Sequence, residues 1–291
     1  IDYPGFNFRV AEFAHKAGFK VFYYIAPKVW ASRERRVRKL KAFVDKLFIV
    51  FPFEIPYFEG KGVDFVYKGN PLVDAIDGSP ALEETREEYL RRTGLPDRPS
   101  IALLAGSRTG EIGSMMPVFM EFADRMHSLP EYSEYQFVVA AAPSRTMSDY
   151  SGYVGGREYV HVLFGESYAV MRNSLAAVVN SGTASLECAL IGTPQVVAYR
   201  GGALNYMIAK SIIKVKYISL GNLILDRTCF RELLQDYFTT DNVLDEVRQI
   251  LSDADYRSRM QEGYAEIRGE LGGRGASAAV AKAMIEDMQR R

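Results

Sequence analysis

The amino-acid sequence predicts an α/β protein built on parallel, doubly wound sheets, and three observations carry that reading. Apolar runs of strand length alternate with amphipathic segments of helix length along most of the chain. Runs such as Ile101-Ala102-Leu103-Leu104 and Ala176-Ala177-Val178-Val179 contain no polar residue, as in sheets covered on both faces. The length of 291 residues, with 48% hydrophobic and 25% charged, is enough for about two domains with cores of their own.

Taken in order, the opening Ile-Asp-Tyr-Pro-Gly reads as the end of a strand entering a turn, so the chain is expected to begin inside a domain. A helical pattern over Arg9 to Ala17 precedes strands over Lys20 to Ala26, Leu47 to Phe51 and Asp64 to Tyr67. Between Asp74 and Pro99 the turn formers Asp77-Gly78-Ser79-Pro80 and Asp97-Arg98-Pro99 bracket a charged helix, the expected domain boundary. A first domain over 1–75 is then a remnant, with three strands where open α/β sheets usually have about five. The second, over 76–291, has strands at Ser100 to Ala105, Gln136 to Ala141, Tyr159 to Phe164, Ala176 to Asn180 and Gln195 to Tyr199. Its helices are expected over Glu111 to His127, Thr183 to Ile191 and Ala203 to Ile213. From Thr240 onward the pattern is helical, and Gly272-Gly273-Arg274-Gly275 sets off a last helix, about 276–289, expected to pack back on the first domain.

Composition excludes several classes of function. Thirty-six basic side chains balance thirty-six acidic ones, so no global field draws the protein to nucleic acid. The local exception is Arg33-Glu34-Arg35-Arg36-Val37-Arg38-Lys39-Leu40-Lys41, either a solvated helix face or, behind Val29-Trp30, a surface for anionic headgroups. Two cysteines, Cys188 and Cys229, are too few for a disulfide framework and fit no zinc spacing, which favours a reducing compartment. No stretch approaches the roughly 18 consecutive apolar residues that a membrane span needs.

Two turns carry candidate chemistry. In open α/β sheets, ligands bind beyond the carboxyl ends of strands, where helix N-termini present unpaired N–H groups. Ala105-Gly106-Ser107-Arg108-Thr109-Gly110-Glu111 joins a buried strand to a helix opened by a capping residue and an acid; Gly106 lets an anion approach the backbone, and Arg108 offers a planar fork for phosphate oxygens. Asn180-Ser181-Gly182-Thr183-Ala184-Ser185-Leu186-Glu187 repeats the plan with hydroxyls. Glu187 stands one helical turn beyond Thr183, where a carboxylate would meet the ribose of a nucleotide whose pyrophosphate sat at the helix end. Each turn alone is also what an ordinary capped helix looks like; together they favour a nucleotide site.

These residues belong to a longer ordered set. Ile1-Asp2-Tyr3-Pro4-Gly5-Phe6-Asn7, Ala26-Pro27-Lys28-Val29-Trp30-Ala31, Gly106-Ser107-Arg108 with Glu111-Ile112, Ser181-Gly182-Thr183-Ala184 with Leu186-Glu187, and Ser219-Leu220-Gly221-Asn222 followed by Glu232-Leu233-Leu234-Gln235 resemble lipid-A-disaccharide synthases over nearly the whole chain. The resemblance implies a GT-B glycosyltransferase that joins UDP-2,3-diacylglucosamine to 2,3-diacylglucosamine 1-phosphate (lipid X), inverting the anomeric centre and releasing UDP, with no metal or other cofactor. It implies Asp2 as general base with Asn7 closing that motif, Arg108 beside the UDP phosphates, Gly106, Ser107, Ser181, Gly182, Thr183 and Glu187 around the nucleotide, Asn222 in the cleft, and Gln235 beside the nucleotide. Trp30, Arg33, Arg35, Arg36 and Arg38 would face the acceptor or an anionic membrane. The place implied is the cytoplasm, peripheral to the inner face of the bacterial inner membrane; members of the family can dimerise through the C-terminal region, so a homodimer is among the partners implied.

Three departures from the family's pattern stand out. Gly221 replaces a usual proline, which predicts a looser loop around Asn222; Ser32 stands where an aromatic often follows Trp-Ala; and the sequence opens at the Ile-Asp motif, before which the family carries a further half-domain, so the acceptor side of the cleft is expected to be incomplete. The residues leave open another UDP-sugar enzyme of the same architecture, such as the peptidoglycan glucosaminyltransferase or a UDP-sugar epimerase, and a nucleotide- or lipid-binding fragment without turnover.

Overall fold

The computed structural model describes residues 3–30, 34–201 and 216–289. These fall into two compact units, one of residues 3–77 with 216 and 268–289, the other of 78–201 with 217–267. The helix expected over Ala203 to Ile213 lies outside the described residues, as do Asp2 and Arg33.

In the first unit, helix α1 (Pro4–Lys16) leads to strand β1 (Phe22–Tyr24), and a 3-10 turn (Glu34–Arg36) runs into α2 (Val37–Phe43). Strand β2 (Lys46–Ile49), helix α3 (Glu54–Phe58), strand β3 (Phe65–Tyr67) and helix α4 (Pro71–Asp77) follow. The three strands pair in parallel in the order β1-β2-β3. Phe8 and Ala11 of α1 and Leu40 of α2 close over Leu47 and Ile49. Pro4 and Gly5 form the first turn of α1, not a strand's exit, because proline at that position forfeits only an N–H that has no helical partner anyway. The last helix, Ala276–Gln289, belongs to this unit and contacts α4. Asp74 anchors its start, accepting from Gly275 N at 2.6 Å and Ser277 N at 2.8 Å.

In the second unit, α5 (Arg86–Thr93) opens on a capping box between Thr85 and Glu88 and ends at Gly94, whose φ of 72° lies in the left-handed region glycine favours. There follow β4 (Ser100–Leu104), α6 (Thr109–His127), β5 (Gln136–Ala141), α7 (Ser151–Val154), β6 (Val160–Phe164), α8 (Ser167–Arg172), β7 (Ala176–Asn180) and α9 (Thr183–Ile191). Strand β8 (Gln195–Tyr199), α10 (Leu220–Leu225), β9 (Glu232–Leu234), α11 (Thr240–Ser252) and α12 (Ala254–Leu271) complete the order; residues of α12 from Arg268 onward count with the first unit. Strands β5, β7 and β8 have the limits that their apolar runs predict. Strand β9 has no such run: it is three residues long, and of these only Leu233 is buried.

All pairings in the six-stranded sheet are parallel, in the order β6-β5-β4-β7-β8-β9. Both faces are covered. Val138, Ala140, Ala177 and Val179 pack against Ala169, Val170 and Met171 of α8 and Cys188 of α9. On the alternate residues of the strands, Phe122 of α6 meets Phe137 of β5 edge-on at 5.6 Å. This is the doubly wound α/β architecture that the uninterrupted apolar strands predict. The chain winds outward from β4 through β5 to β6 and then resumes on the other side of β4 with β7, so winding reverses between β4 and β7. No described helix is long and apolar enough to cross a membrane.

Candidate functional site

The reversal places the two sequence-predicted turns side by side. β4 and β7 are hydrogen-bonded neighbours with Leu104 opposite Val179, and both end at the same rim of the sheet. The turn after β4 holds Gly106, Ser107 and Arg108; the turn after β7 holds Ser181 and Gly182. In open α/β sheets the crevice beyond such a reversal is where ligands bind.

Gly106 joins the two corners. Its φ is 92°, and a β-carbon there would stand 2.5 Å from Asn180 Nδ2 and 2.5 Å from Glu111 Oε2. Conformation and crowding both demand glycine. Glu111, three residues beyond Arg108, turns back over the corner: its Oε2 accepts from Ser107 N at 3.0 Å and Arg108 N at 3.1 Å, and its Oε1 from Arg108 Nη1 at 2.7 Å. A carboxylate therefore occupies the donors that a phosphate oxygen would use. The Arg108 side chain is otherwise in solvent, 80% exposed. Thr109 is the first residue of α6, not its cap; its Oγ1 accepts from Arg145 Nη1 at 3.0 Å, and Arg145 Nε donates to Ser107 O at 2.7 Å. Arg145 comes from the loop after β5 and was invisible in the sequence, where Pro-Ser-Arg-Thr resembles any polar loop.

At the second corner, Gly182 precedes α9 and supplies no side-chain cap, so the first N–H groups of that helix depend on another partner. A β-carbon on Gly182 would meet no atom within 4 Å, and Thr183 is exposed, so the turn's outer side is open. Ser181 Oγ lies 3.5 Å from Ile218 O, the long end of a hydrogen bond. Glu187, one turn along α9, is half-buried and accepts from Tyr168 Oη at 3.3 Å. Burial pushes its carboxyl above the ordinary range, and the Tyr168 hydroxyl pulls it partly back. Tyr168 also lines a cavity of ≈ 220 Å³ with Pro143, Gly165, Glu166 and Ser167 beyond the ends of β5 and β6.

Asn222 departs from expectation. It does not open into a cleft but is fully buried at the start of α10. Its Nδ2 donates to Phe230 O at 2.9 Å and Glu232 Oε1 at 3.0 Å, while its Oδ1 accepts from Cys229 N at 2.8 Å. The amide is thus used up in holding the approach to β9. Glu232 in turn accepts from Ile218 N at 3.1 Å and Ser219 N at 3.0 Å and caps α10. The looseness expected from Gly221 is also absent. Gly221 lies inside α10, and a β-carbon there would stand 2.8 Å from Phe230 Cζ, so tight packing replaces the stiffness of proline. Gln235, at φ 54°, exchanges hydrogen bonds of 3.2 Å with the N–H and C=O of Gly201, with its amide oriented to satisfy both atoms.

The remaining candidates belong to the first unit. Asn7, on α1, donates to Tyr23 Oη at 3.3 Å and lines a groove of ≈ 400 Å³ with Val10, Ala14, Lys20 and Tyr24. Trp30 is packed: its ring meets Phe53 edge-on at 4.8 Å and its Nε1 donates to Glu54 Oε1 at 3.0 Å. Glu54, 1% exposed, also accepts from Val50 N and Phe51 N at 3.0 Å each, and burial raises its pKa. Arg35 is exposed, Arg36 lies 5.9 Å from the Phe8 ring centre, and Arg38 is an exposed residue of α2. Among the described residues no group of three His, Cys, Asp or Glu side chains could hold a metal ion.

The chain can be set beside known proteins. The family model of lipid-A-disaccharide synthetase matches residues 1–283. The lipid-A-disaccharide synthase of Geobacter metallireducens is 38% identical over 289 residues, covering 98% of this chain and 73% of that protein. That of Trichlorobacter lovleyi is 36% identical over 284 residues, covering 97% of this chain and 72% of that one. Among solved structures, the UDP-GlcNAc 2-epimerase from Neisseria meningitidis bound to UDP-GlcNAc aligns with a TM-score of 0.66 at 15% identity, over 96% of this chain and 73% of that one. That last likeness concerns the fold, which is of the GT-B kind.

Proposed function

The chain belongs to the lipid-A-disaccharide synthetase family and is a glycosyltransferase of lipid A assembly, and from that premise we propose the reaction and the residues that perform it. The donor is UDP-2,3-diacylglucosamine, the acceptor 2,3-diacylglucosamine 1-phosphate, and the products are the disaccharide 1-phosphate, with inversion at the anomeric carbon, and UDP. The observation that carries the reading is the meeting of the Gly106 and Asn180 corners where the winding of the sheet reverses.

The diphosphate lies over Gly106 and Ser107 and against the N-terminus of α9, where Gly182 leaves room. Arg108, already in solvent, swings from Glu111 to the phosphate oxygens. As the bond between the anomeric carbon and the phosphate oxygen breaks, charge grows on the diphosphate, and N–H groups and a guanidinium held in place stabilise it without reorganisation. Ser181 and Thr183 bind at the same helix end, and Glu187 accepts from the ribose hydroxyls. Gln235 and Asn222 act by shaping the backbone around this rim, since both amides bond to main chain.

Asp2, outside the described residues, removes the proton of the attacking hydroxyl, a role worth ~10²–10⁴-fold. Asn7 and Trp30 serve the acceptor side. Arg35, Arg36 and Arg38, with Arg33 outside the described residues, hold the chain against an anionic membrane surface, where acyl-chain substrates reside.

The test is a mass-spectrometric assay of the chain with donor and lipid X. Disaccharide 1-phosphate and UDP are expected, with Arg108→Ala losing product and binding UDP more weakly, and Asp2→Ala losing product while still binding UDP as wild type does. UDP binding with no product under any condition would leave a binding fragment instead, and epimerised donor without acceptor would make the chain an epimerase.

A further inference from the structure

We propose that Arg145 is a positioning residue for the Arg108 corner, fixing the backbone that presents Arg108 to the diphosphate; the inference rests on the reading of that corner given above. Arg145 reaches across from the loop after β5 and takes hold on both sides of Arg108. Its Nε donates to Ser107 O at 2.7 Å and its Nη1 to Thr109 Oγ1 at 3.0 Å. Its side chain is only 22% exposed.

The residue it grips is held from the other side as well. Ser107 N donates to Glu111 at 3.0 Å, so both main-chain groups of Ser107 are spent, the N–H on Glu111 and the C=O on Arg145. The peptide between Ser107 and Arg108 has two holds, Glu111 on Arg108 N at 3.1 Å and Arg145 on Ser107 O at 2.7 Å. When Glu111 yields its donors to a phosphate, Arg145 is the contact that keeps Ser107 in place. Charge acts in the same direction, because a second guanidinium beside Arg108 favours an anion there.

The Arg145 side is braced in turn. Arg145 N donates to Ala142 O at 3.0 Å, and Asp149, which accepts from Thr146 N at 3.0 Å, lies 3.7 Å from Arg145 Nη1. The short loop is therefore built to present one rigid fork to two acceptors at once. Lysine, with one ammonium on a flexible stem, cannot reproduce that geometry.

The experiment is calorimetric titration of UDP into the full chain as wild type, Arg108→Ala, Arg145→Ala, Arg145→Lys and the double variant Arg108→Ala/Arg145→Ala, with melting curves for each. Arg145→Ala is expected to weaken UDP about tenfold, the usual worth of a charge-assisted contact of this kind. Arg145→Lys should recover less than half of that loss. In the Arg108→Ala background the Arg145→Ala effect should shrink to about twofold or less, which a general loss of stability would not produce. If Arg145→Ala melts early, Arg145→Lys, which keeps the charge and most of the stem, decides in its place. UDP binding within twofold of wild type in Arg145→Lys and Arg145→Ala, with Arg108→Ala weak, overturns this inference alone, as does a full, additive loss in the double variant. A wild-type chain that does not bind UDP overturns the reading of the corner and this inference with it.

Discussion

Gly106 lies so close beneath Asn180 that a β-carbon on it would stand 2.5 Å from the Asn180 amide nitrogen. One residue belongs to the turn after β4 and the other ends β7, so this single contact makes one rim out of two turns more than seventy residues apart. The consequences for stability and binding can be measured at several points along it.

Gly106→Ala should damage both fold and function. Alanine at a φ of 92° costs about 1–3 kcal/mol in backbone strain, and its methyl group must displace Asn180 or Glu111. A melting temperature lowered by several degrees, together with at least tenfold weaker UDP binding, is expected from differential scanning fluorimetry and calorimetry. An alanine variant as stable and as tight as wild type would show that the corner is not where the diphosphate rests.

Glu187 makes the donor site pH-sensitive in a stated direction. Burial raises its pKa, so the folded chain holds this proton more tightly than the unfolded one. Its contribution to stability is accordingly present below the ordinary carboxylate pKa and lost as pH rises through the raised value. Ribose hydroxyls need the ionised form as acceptor, so UDP affinity should fall as pH drops through that raised value, above where an exposed glutamate would titrate. Glu187→Gln should flatten this acid limb and melt higher than wild type at pH 8, with the difference closing as the pH is lowered. A limb that survives the substitution would assign it to another group.

Asn222 is expected to act on stability before chemistry. Replacing it by alanine strands Cys229 N and part of Glu232, a loss of about 2–4 kcal/mol. Urea unfolding should report that loss. Turnover lost at unchanged stability would instead make Asn222 a group that touches substrate.

Trp30 is the only tryptophan of the chain and reports directly on Glu54. Glu54→Ala frees the indole N–H and leaves Val50 N and Phe51 N without their acceptor, at a cost of about 1–3 kcal/mol for each stranded group. A shift in fluorescence emission and a lower melting temperature are expected together. An unchanged emission spectrum would mean that the Glu54 contact does not set the Trp30 environment.

Much of the second unit could be read from the residues in order. The apolar runs gave β4, β5, β7 and β8 because the middle of a strand buried on both faces carries apolar side chains, with the polar residues Ser100, Gln136, Asn180 and Gln195 confined to strand ends. Gly106 and Arg108 were legible because a glycine and an arginine in a short turn between a buried strand and a helix form a local pattern. The start of α1 misled, since Tyr-Pro-Gly is turn chemistry that proline and a left-handed Tyr3 can also use to open a helix. Asn222 misled differently: a polar residue in a familiar segment looks like a ligand, and only its neighbours show that its amide serves the main chain.

Periodicity, turn residues and motif order are properties of covalent succession, and they sufficed for the α/β class, for most strands and for the two corners. The order β6-β5-β4-β7-β8-β9 was not contained in them, and with it came the adjacency of Gly106 to Asn180, the grip of Arg145 on Ser107 and Thr109, and the enclosure of Asn222. Those relations depend on which strand pairs with which, and that choice is made by the packing free energy of the whole sheet and its two helical layers, to which distant segments contribute as much as near ones.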